Sequence, residues 1–243
     1  MEASCRRALE LGLPSIAFTE HADFVTVHRT QRRLDAAGYL DCLERCRARF
    51  PGLQIVAGVE LGEPHWFRAE VAELLGAGFD RILASVHCVL APEGPHDMSQ
   101  GLPPAEADAL VRRYFSEELD LARSDVPFAV FAHLDYFKRY WPDEESAYDE
   151  RRFEAEYRAV LGELARRESV LEVNTTRGAD PVRGLCPGLN VLRWWREEGG
   201  RAVSFGSDAH EPGKIALGFA HAADVVEAAG FKPSDDPAGF WLR

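Results

Sequence analysis

Residues 54–60 read QIVAGVE: five apolar or small residues after Gln54, then an abrupt carboxylate at Glu60. A short continuous apolar run, rich in β-branched residues, is the pattern of a strand buried on both faces. Five further stretches share this form. SIAFTEH (15–21) ends at His21, RILASVH (81–87) at His87, FAVFAH (128–133) at His133, VLEVN (170–174) at Asn174, and AVSFGSDAH (202–210) at Asp208 and His210. Successive ends lie 27 to 46 residues apart, which suits one β/α unit each, with insertions. In a barrel of parallel strands the C-terminal strand ends meet at one mouth, and the chemistry sits there.

Helical patterns fill the intervals. Gly38–Phe50 places Leu40, Leu43, Cys46 and Phe50 on one face, and Phe67–Gly76 is a short amphipathic segment closed by Gly76 and Gly78. Pro104–Arg123 is long and acidic, and Asp149–Arg167 carries Phe153, Tyr157, Val160, Leu161 and Leu164 at helical spacing. Leu189–Glu198 holds Trp194 and Trp195 before Gly199 and Gly200, Pro212–Gly230 contains the last helix, and the closing FWLR suits a short strand. No linker or low-complexity tract interrupts the alternation, so residues 1–243 are expected to form one domain. Residues 2–12 look like a helix that feeds straight into the first strand, with no strand before it. The first strand of the barrel is thus expected to be missing, or to lie upstream of the given start. An open barrel exposes strand edges and favours association into a homo-oligomer.

Composition narrows the partners. Of 243 residues, 28 are Lys or Arg and 40 are Asp or Glu, for a net charge of −12. That balance argues against stable nucleic-acid binding or an anionic membrane surface. A phosphorylated small molecule stays compatible, since bound metal and a few arginines reverse the field locally. No run approaches the roughly 20 apolar residues of a membrane span, and the N-terminus lacks a signal-peptide core. The five cysteines are scattered with no CxxC pair, which reads as reduced thiols in the cytoplasm.

The strand-end residues carry the chemistry. His21, His87, His133 and His210 offer imidazole nitrogen, and Glu60 and Asp208 offer anionic oxygen. That mixed set suits Zn, Mn or Fe. A lone strand-end His is usually a hydrogen-bonded core residue; four of them with two carboxylates at corresponding positions point to a metal-dependent hydrolase. His28, His65, His96 and His221 fall outside these ends, in loops or helices, and are read as non-ligands. Arg177, three residues after Asn174, is the first choice for a phosphate contact because its planar fork matches phosphate oxygens. Arg183, Lys138 and Arg139 rank behind it.

The ordered segments TEHAD (19–23), GVELGEP (58–64), SVH (85–87), AHLDYFKRY (132–140), EVN (172–174) and GSDAHEPGKIALGF (206–219) resemble the successive motifs of the PHP domain. The nearest resemblance is to its histidinol-phosphatases, and it covers essentially the whole chain. It implies an α/β fold, a distorted (β/α)7 TIM-like barrel with up to three divalent metal ions. It further implies hydrolysis of a phosphomonoester, L-histidinol phosphate to L-histidinol and phosphate in histidine biosynthesis, by attack of a metal-bound hydroxide. The alternatives are a PHP phosphoesterase for a nucleotide or short oligonucleotide, and a truncated, inactive barrel. By motif, Glu60 bridges the first two metals, Asp208 binds the first, His87 and His133 the second, and His21 and His210 the third. Glu60, Asp208 and His210 are the catalytic candidates, with Arg177 and Asn174 contacting substrate. The family opens with an HxH motif and a further His that precede the given sequence. The second metal is therefore expected to bind and the other two to bind incompletely. Glu63 and Asp135, close to the mouth, are candidates to meet the substrate amine.

Overall fold

The computed structural model describes residues 1–25, 34–92, 94–142, 148–178, 180 and 183–243. Its centre is one seven-stranded sheet. Six strands run parallel in the order β1 (Ser15–Asp23), β2 (Gln54–Gly62), β3 (Arg81–Ser85), β6 (Val130–Phe131), β7 (Val170–Asn174) and β8 (Ala202–Gly206). The seventh, β9 (Trp241–Leu242), pairs antiparallel with β8. The α/β fold expected from the sequence is thus present as a curled, open sheet of six parallel strands, with a short seventh strand added in reverse at the β8 edge. Among the described residues β1 pairs only with β2 and forms the sheet edge.

Side-chain alternation separates two faces of the sheet. Ile55, Ala57, Val59 and Leu61 of β2, Phe131 of β6, and Leu171 and Val173 of β7 face the helices. Helices α1 (Glu2–Glu10) and α2 (Ala36–Arg49) cover the β1–β2 end through Cys5, Ala8, Tyr39, Leu43 and Cys46. Asp35 starts α2 by accepting the Gly38 amide at 3.1 Å, an N-cap that satisfies one orphan donor. After α3 (Arg68–Leu75) come α4 (Ala107–Arg123), α5 (Glu154–Arg166), α6 (Leu189–Glu197) and α7 (Phe219–Ala228). In α4 the buried residues Leu110, Val111, Tyr114, Phe115, Leu121 and Ala122 recur at three- and four-residue spacing, and this stripe packs into the main core with Tyr157, Val160, Leu161 and Leu164 of α5. Trp66 donates to Glu117 at 3.0 Å, while Trp194 and Trp195 lie buried in the core.

The opposite face lines the barrel interior. Leu83, Val130, Ala132, Val170 and Ala202 form a separate apolar layer with Phe240 packed against it. Arg81 stacks on the Phe240 ring at 4.7 Å and donates to the Ala238 carbonyl, and Ser15 Oγ donates to the Pro237 carbonyl. The C-terminal segment therefore closes the bottom of the barrel and leaves the top as its mouth. A hairpin absent from the sequence reading, β4 (Cys88–Ala91) with β5 (Gly94–Asp97), projects beyond β3 at that mouth. His96 sits in β5, not in a loop; His28 lies outside the described residues.

Candidate metal centre

Strand parity brings the mouth together. Glu60 and Gly62 of β2, the chain after Ser85 of β3, and Glu172 and Asn174 of β7 all belong to the interior face, since their neighbours in sequence face the helices. His133 breaks this rule. Val130 and Ala132 point inward, so strict alternation would send His133 outward. Its φ of 26°, rare for a residue with a Cβ, turns the chain there, and the ring lies beside Glu60.

The geometry centres on Glu60. His133 Nε2 lies 3.0 Å and His87 Nε2 3.4 Å from Glu60 Oε1, and His21 Nε2 lies 4.0 Å from Oε2. The Nε2 atoms of His87 and His133 face each other at 3.3 Å. Two groupings have donor atoms close enough to share an ion: His21 with Glu60 and His87, and His21 with Asp208 and His210. The first is largely buried, whereas His210 keeps 73% of its side chain exposed at the rim. Of the sequence candidates, His21, Glu60, His87, His133, Asp208 and His210 thus come together at one mouth.

Behind them stands a carboxylate that sequence reasoning missed. Asp23 is 5% exposed, and its oxygens lie 3.4 Å from His21 Nδ1 and 3.6 Å from His87 Nδ1. An anion placed beside both Nδ1 atoms leaves both Nε2 atoms for the centre. Gly62 makes room: a Cβ there would sit 2.2 Å from Asp23 Oδ1. The signal was present in TEHAD, because residues two apart on a strand share a face.

Charge is concentrated accordingly. The Glu60 carboxylate, helped by Asp23 and opposed by burial, pushes His21 up to about 9. Burial works against the charge of Glu60, yet His21, His133 and His87 hold its carboxyl well below the usual range. Burial also opposes ionised Asp208, and the Arg139 guanidinium, 2.9 Å from its Oδ2, outweighs that and lowers it. Arg139 lies over the Tyr136 ring at 4.9 Å and is 8% exposed, with its Nε free of any hydrogen-bond partner. Among the arginines ranked from sequence it is the one buried in the site.

The other candidates are placed differently. Arg177 is exposed in the turn after β7. Asn174 is buried; its amide nitrogen donates to Glu172 and its Oδ1 accepts from the Thr176 amide and hydroxyl, so it shapes the turn that carries Arg177. Lys138 donates to the Leu185 carbonyl beside Asp135, and Arg183 bonds Asp180 and the Trp141 carbonyl. Glu63 and Asp135, the candidates for the substrate amine, are both fully buried. Glu63 accepts the amides of His87 and Cys88, and Asp135 accepts the Tyr157 hydroxyl at 3.0 Å. Both carboxyls thus lie beneath the surface of the mouth, each with an oxygen engaged inside the protein.

The residues present fit a divalent cation. Imidazole nitrogen and carboxylate oxygen converge, and two Nε2 atoms meet at 3.3 Å, where only one can donate a proton to the other. Asp23 Oδ1 and His133 Nδ1 are buried without hydrogen-bond partners. Borderline N and O donors of this kind suit zinc and its neighbours.

A curled parallel β/α sheet with histidines and carboxylates gathered at its strand ends defines an α/β fold with a candidate metal centre at its mouth. The chain belongs to the PHP domain family, whose model matches residues 1–176. It is 29% identical to the histidinol-phosphatase of Lactococcus lactis subsp. lactis (strain IL1403) over 231 residues, covering 92% of this chain and 83% of that protein. It is 26% identical to a probable histidinol-phosphatase of Deinococcus radiodurans over 236 residues, covering 92% and 85%. Its fold superposes with a TM-score of 0.81 on the L. lactis histidinol phosphate phosphatase complexed with zinc, L-histidinol and phosphate, at 26% identity and covering 94% and 86% of the two chains. Among the described residues no helix is long and apolar enough to cross a membrane.

Proposed function

We propose that this chain is a metal-dependent phosphomonoesterase that hydrolyses L-histidinol phosphate to L-histidinol and phosphate. The observation that carries the reading is the convergence of His21, Glu60, His87, His133, Asp208 and His210 on one mouth. It is supported by the likeness to a phosphatase complexed with zinc, L-histidinol and phosphate. Residues 1–243 act as one domain in this reading, since one sheet draws its strands from Ser15 to Leu242.

The residues divide the work. Glu60, His87 and His133 would hold one ion, Glu60 and Asp208 another, and His21 and His210 a third. Zinc is the proposed ion, filling the buried Glu60–His87–His133 position more tightly than the exposed His210 side. Bound there, the metal supplies Lewis-acid charge toward the phosphoryl oxygens. Asp23 fixes the His21 and His87 rings. Arg139 balances the charge of Asp208 and is the buried cation assigned to the phosphate, with Arg177 at the rim as a second cation. Asn174 serves substrate binding through the turn it builds. Catalysis is assigned to Glu60, Asp208 and His210, the acids flanking the phosphoryl position and the imidazole open to solvent. All five cysteines are free thiols, which supports a reducing cytoplasm. The net charge of −12 supports a small-molecule rather than a nucleic-acid partner. The half-buried β1 edge supports self-association.

The test is Arg139→Ala with zinc added. A fall in kcat/KM of about tenfold or more, as for loss of a charge-assisted phosphate contact, is expected, and it should exceed the fall caused by Arg177→Ala. Unchanged kcat/KM in Arg139→Ala removes the arginine from the phosphate site. Elemental analysis reads the metals: three tightly held ions per chain contradict the uneven filling.

A further inference from the structure

We propose that Glu172, seated in the space left by Gly206, is a positioning residue that holds His133 in the metal centre by its backbone amide. The inference rests on reading the mouth as a metal centre.

Glu172 is an unusual occupant of its place. It lies on the interior face of β7 and is 6% exposed. A second and a third carboxylate, Glu60 and Asp208, stand above it. Burial and those two acids push its carboxyl up to about 7. An apolar side chain would fill that space at no electrostatic cost, so the acid needs a specific return.

The return is visible in its partners. Glu172 Oε2 accepts the backbone N–H of His133 at 2.9 Å and the Asn174 amide nitrogen at 3.3 Å. His133 is the residue that departs from strand alternation to bring its ring inward. A non-glycine φ of 26° is strained and persists only where the surroundings enforce it. A carboxyl oxygen on the amide of that same residue is such an enforcement. It anchors the turn from below, while Glu60 meets the ring from the side.

Gly206 completes the device. A Cβ at this position would lie 1.9 Å from Glu172 Oε1 and 2.6 Å from its Cδ. The absent side chain on β8 is therefore the seat of the Glu172 carboxyl. Across the mouth the same arrangement recurs with other residues. His87 has its amide held by Glu63, a buried carboxylate from the neighbouring strand end. His87 and His133 are thus each fixed twice, by ring and by backbone.

The experiment compares Glu172→Gln, Glu172→Ala and Gly206→Ala with the unaltered protein. Zinc affinity is measured by competition with a chelator in the absence of substrate. The His133 amide is followed by hydrogen exchange, and kcat and KM are measured on L-histidinol phosphate. Glu172→Gln keeps an acceptor oxygen at the same reach. It is expected to retain zinc affinity and a protected His133 amide. Glu172→Ala and Gly206→Ala are expected to lose zinc affinity by about tenfold or more, to unprotect that amide, and to lower kcat more than they raise KM. Should Glu172→Ala fail to fold, Gly206→Ala against Glu172→Gln decides. Zinc affinity unchanged in Gly206→Ala, or lost in Glu172→Gln as fully as in the alanine variants, overturns the proposal. Because zinc is read without substrate, the role of Glu172 is decided even if the unaltered protein leaves L-histidinol phosphate intact; that result would count against the proposed substrate alone.

Discussion

Replacing Glu60 by Gln in the metal-free protein tests the electrostatic centre of the site. Glu60 is the largest cause of the raised His21 value. Its Oε2 lies 4.0 Å from His21 Nε2. At that separation, with an effective dielectric near 20, a pair of unit charges attracts by about 4 kcal/mol, equivalent to about three pH units. Burial takes back part of this, and a third of the His21 side chain is open to screening water. With the carboxylate neutralised, His21 should fall from about 9 toward the ordinary imidazole value, by at least about one pH unit or 1.4 kcal/mol. Asp23 remains as a weaker anion beside it. The assay is a pH titration of the imidazole proton signals by NMR, with His21 assigned by its own substitution. His21 titrating at 9 or above in the Glu60→Gln protein would refute the reasoning and leave the raised value without its main cause.

Other outcomes follow from the same contacts. Asp23→Asn should weaken zinc binding by about 10- to 100-fold, measured by chelator competition, because the Nδ1 side of both rings loses its anion. Zinc affinity should rise with pH. His21 must be neutral to bind metal, and its raised value near 9 keeps it protonated below that pH, so affinity at its position climbs until about pH 9 and then flattens. The same sign applies to the metal-free fold. Favourable charge on His21 is fully present below its unfolded value of about 6.5 and is lost as pH rises through about 9. Phe131→Ala, which empties a fully buried site beneath the helices, should cost about 3–5 kcal/mol. The thermal midpoint should then fall by roughly 10 °C, with zinc affinity retained if the mouth is independent of that core.

Much of this was legible from residues alone because strand ends are local. An apolar run that stops on His or Glu states both its element and where its last side chain goes, as QIVAGVE does with Glu60. Asp23 and Glu172 were equally legible in principle, each two residues from a candidate and on its face. Neither stands out, because a carboxylate that braces a ligand looks in sequence like any other acid. Arg139 could not be ranked from spacing, since it lies on a 3₁₀ turn (Tyr136–Tyr140) whose side chains follow neither strand nor α-helical periodicity. Glu63 and His133 depend on positive φ at non-glycine residues, which no residue pattern announces. The hairpin at 88–97 was hidden by its Pro- and Gly-rich turn, which reads as loop.

Whether the mouth is a histidinol-phosphatase centre is decided by phosphate release from L-histidinol phosphate by the zinc-loaded protein, run beside a panel of nucleoside monophosphates and repeated with Glu60→Gln. Turnover of L-histidinol phosphate should stand well above that of the nucleotides and should be lost in the variant. Faster release from a nucleotide, or undiminished turnover without the Glu60 carboxylate, would contradict the assignment.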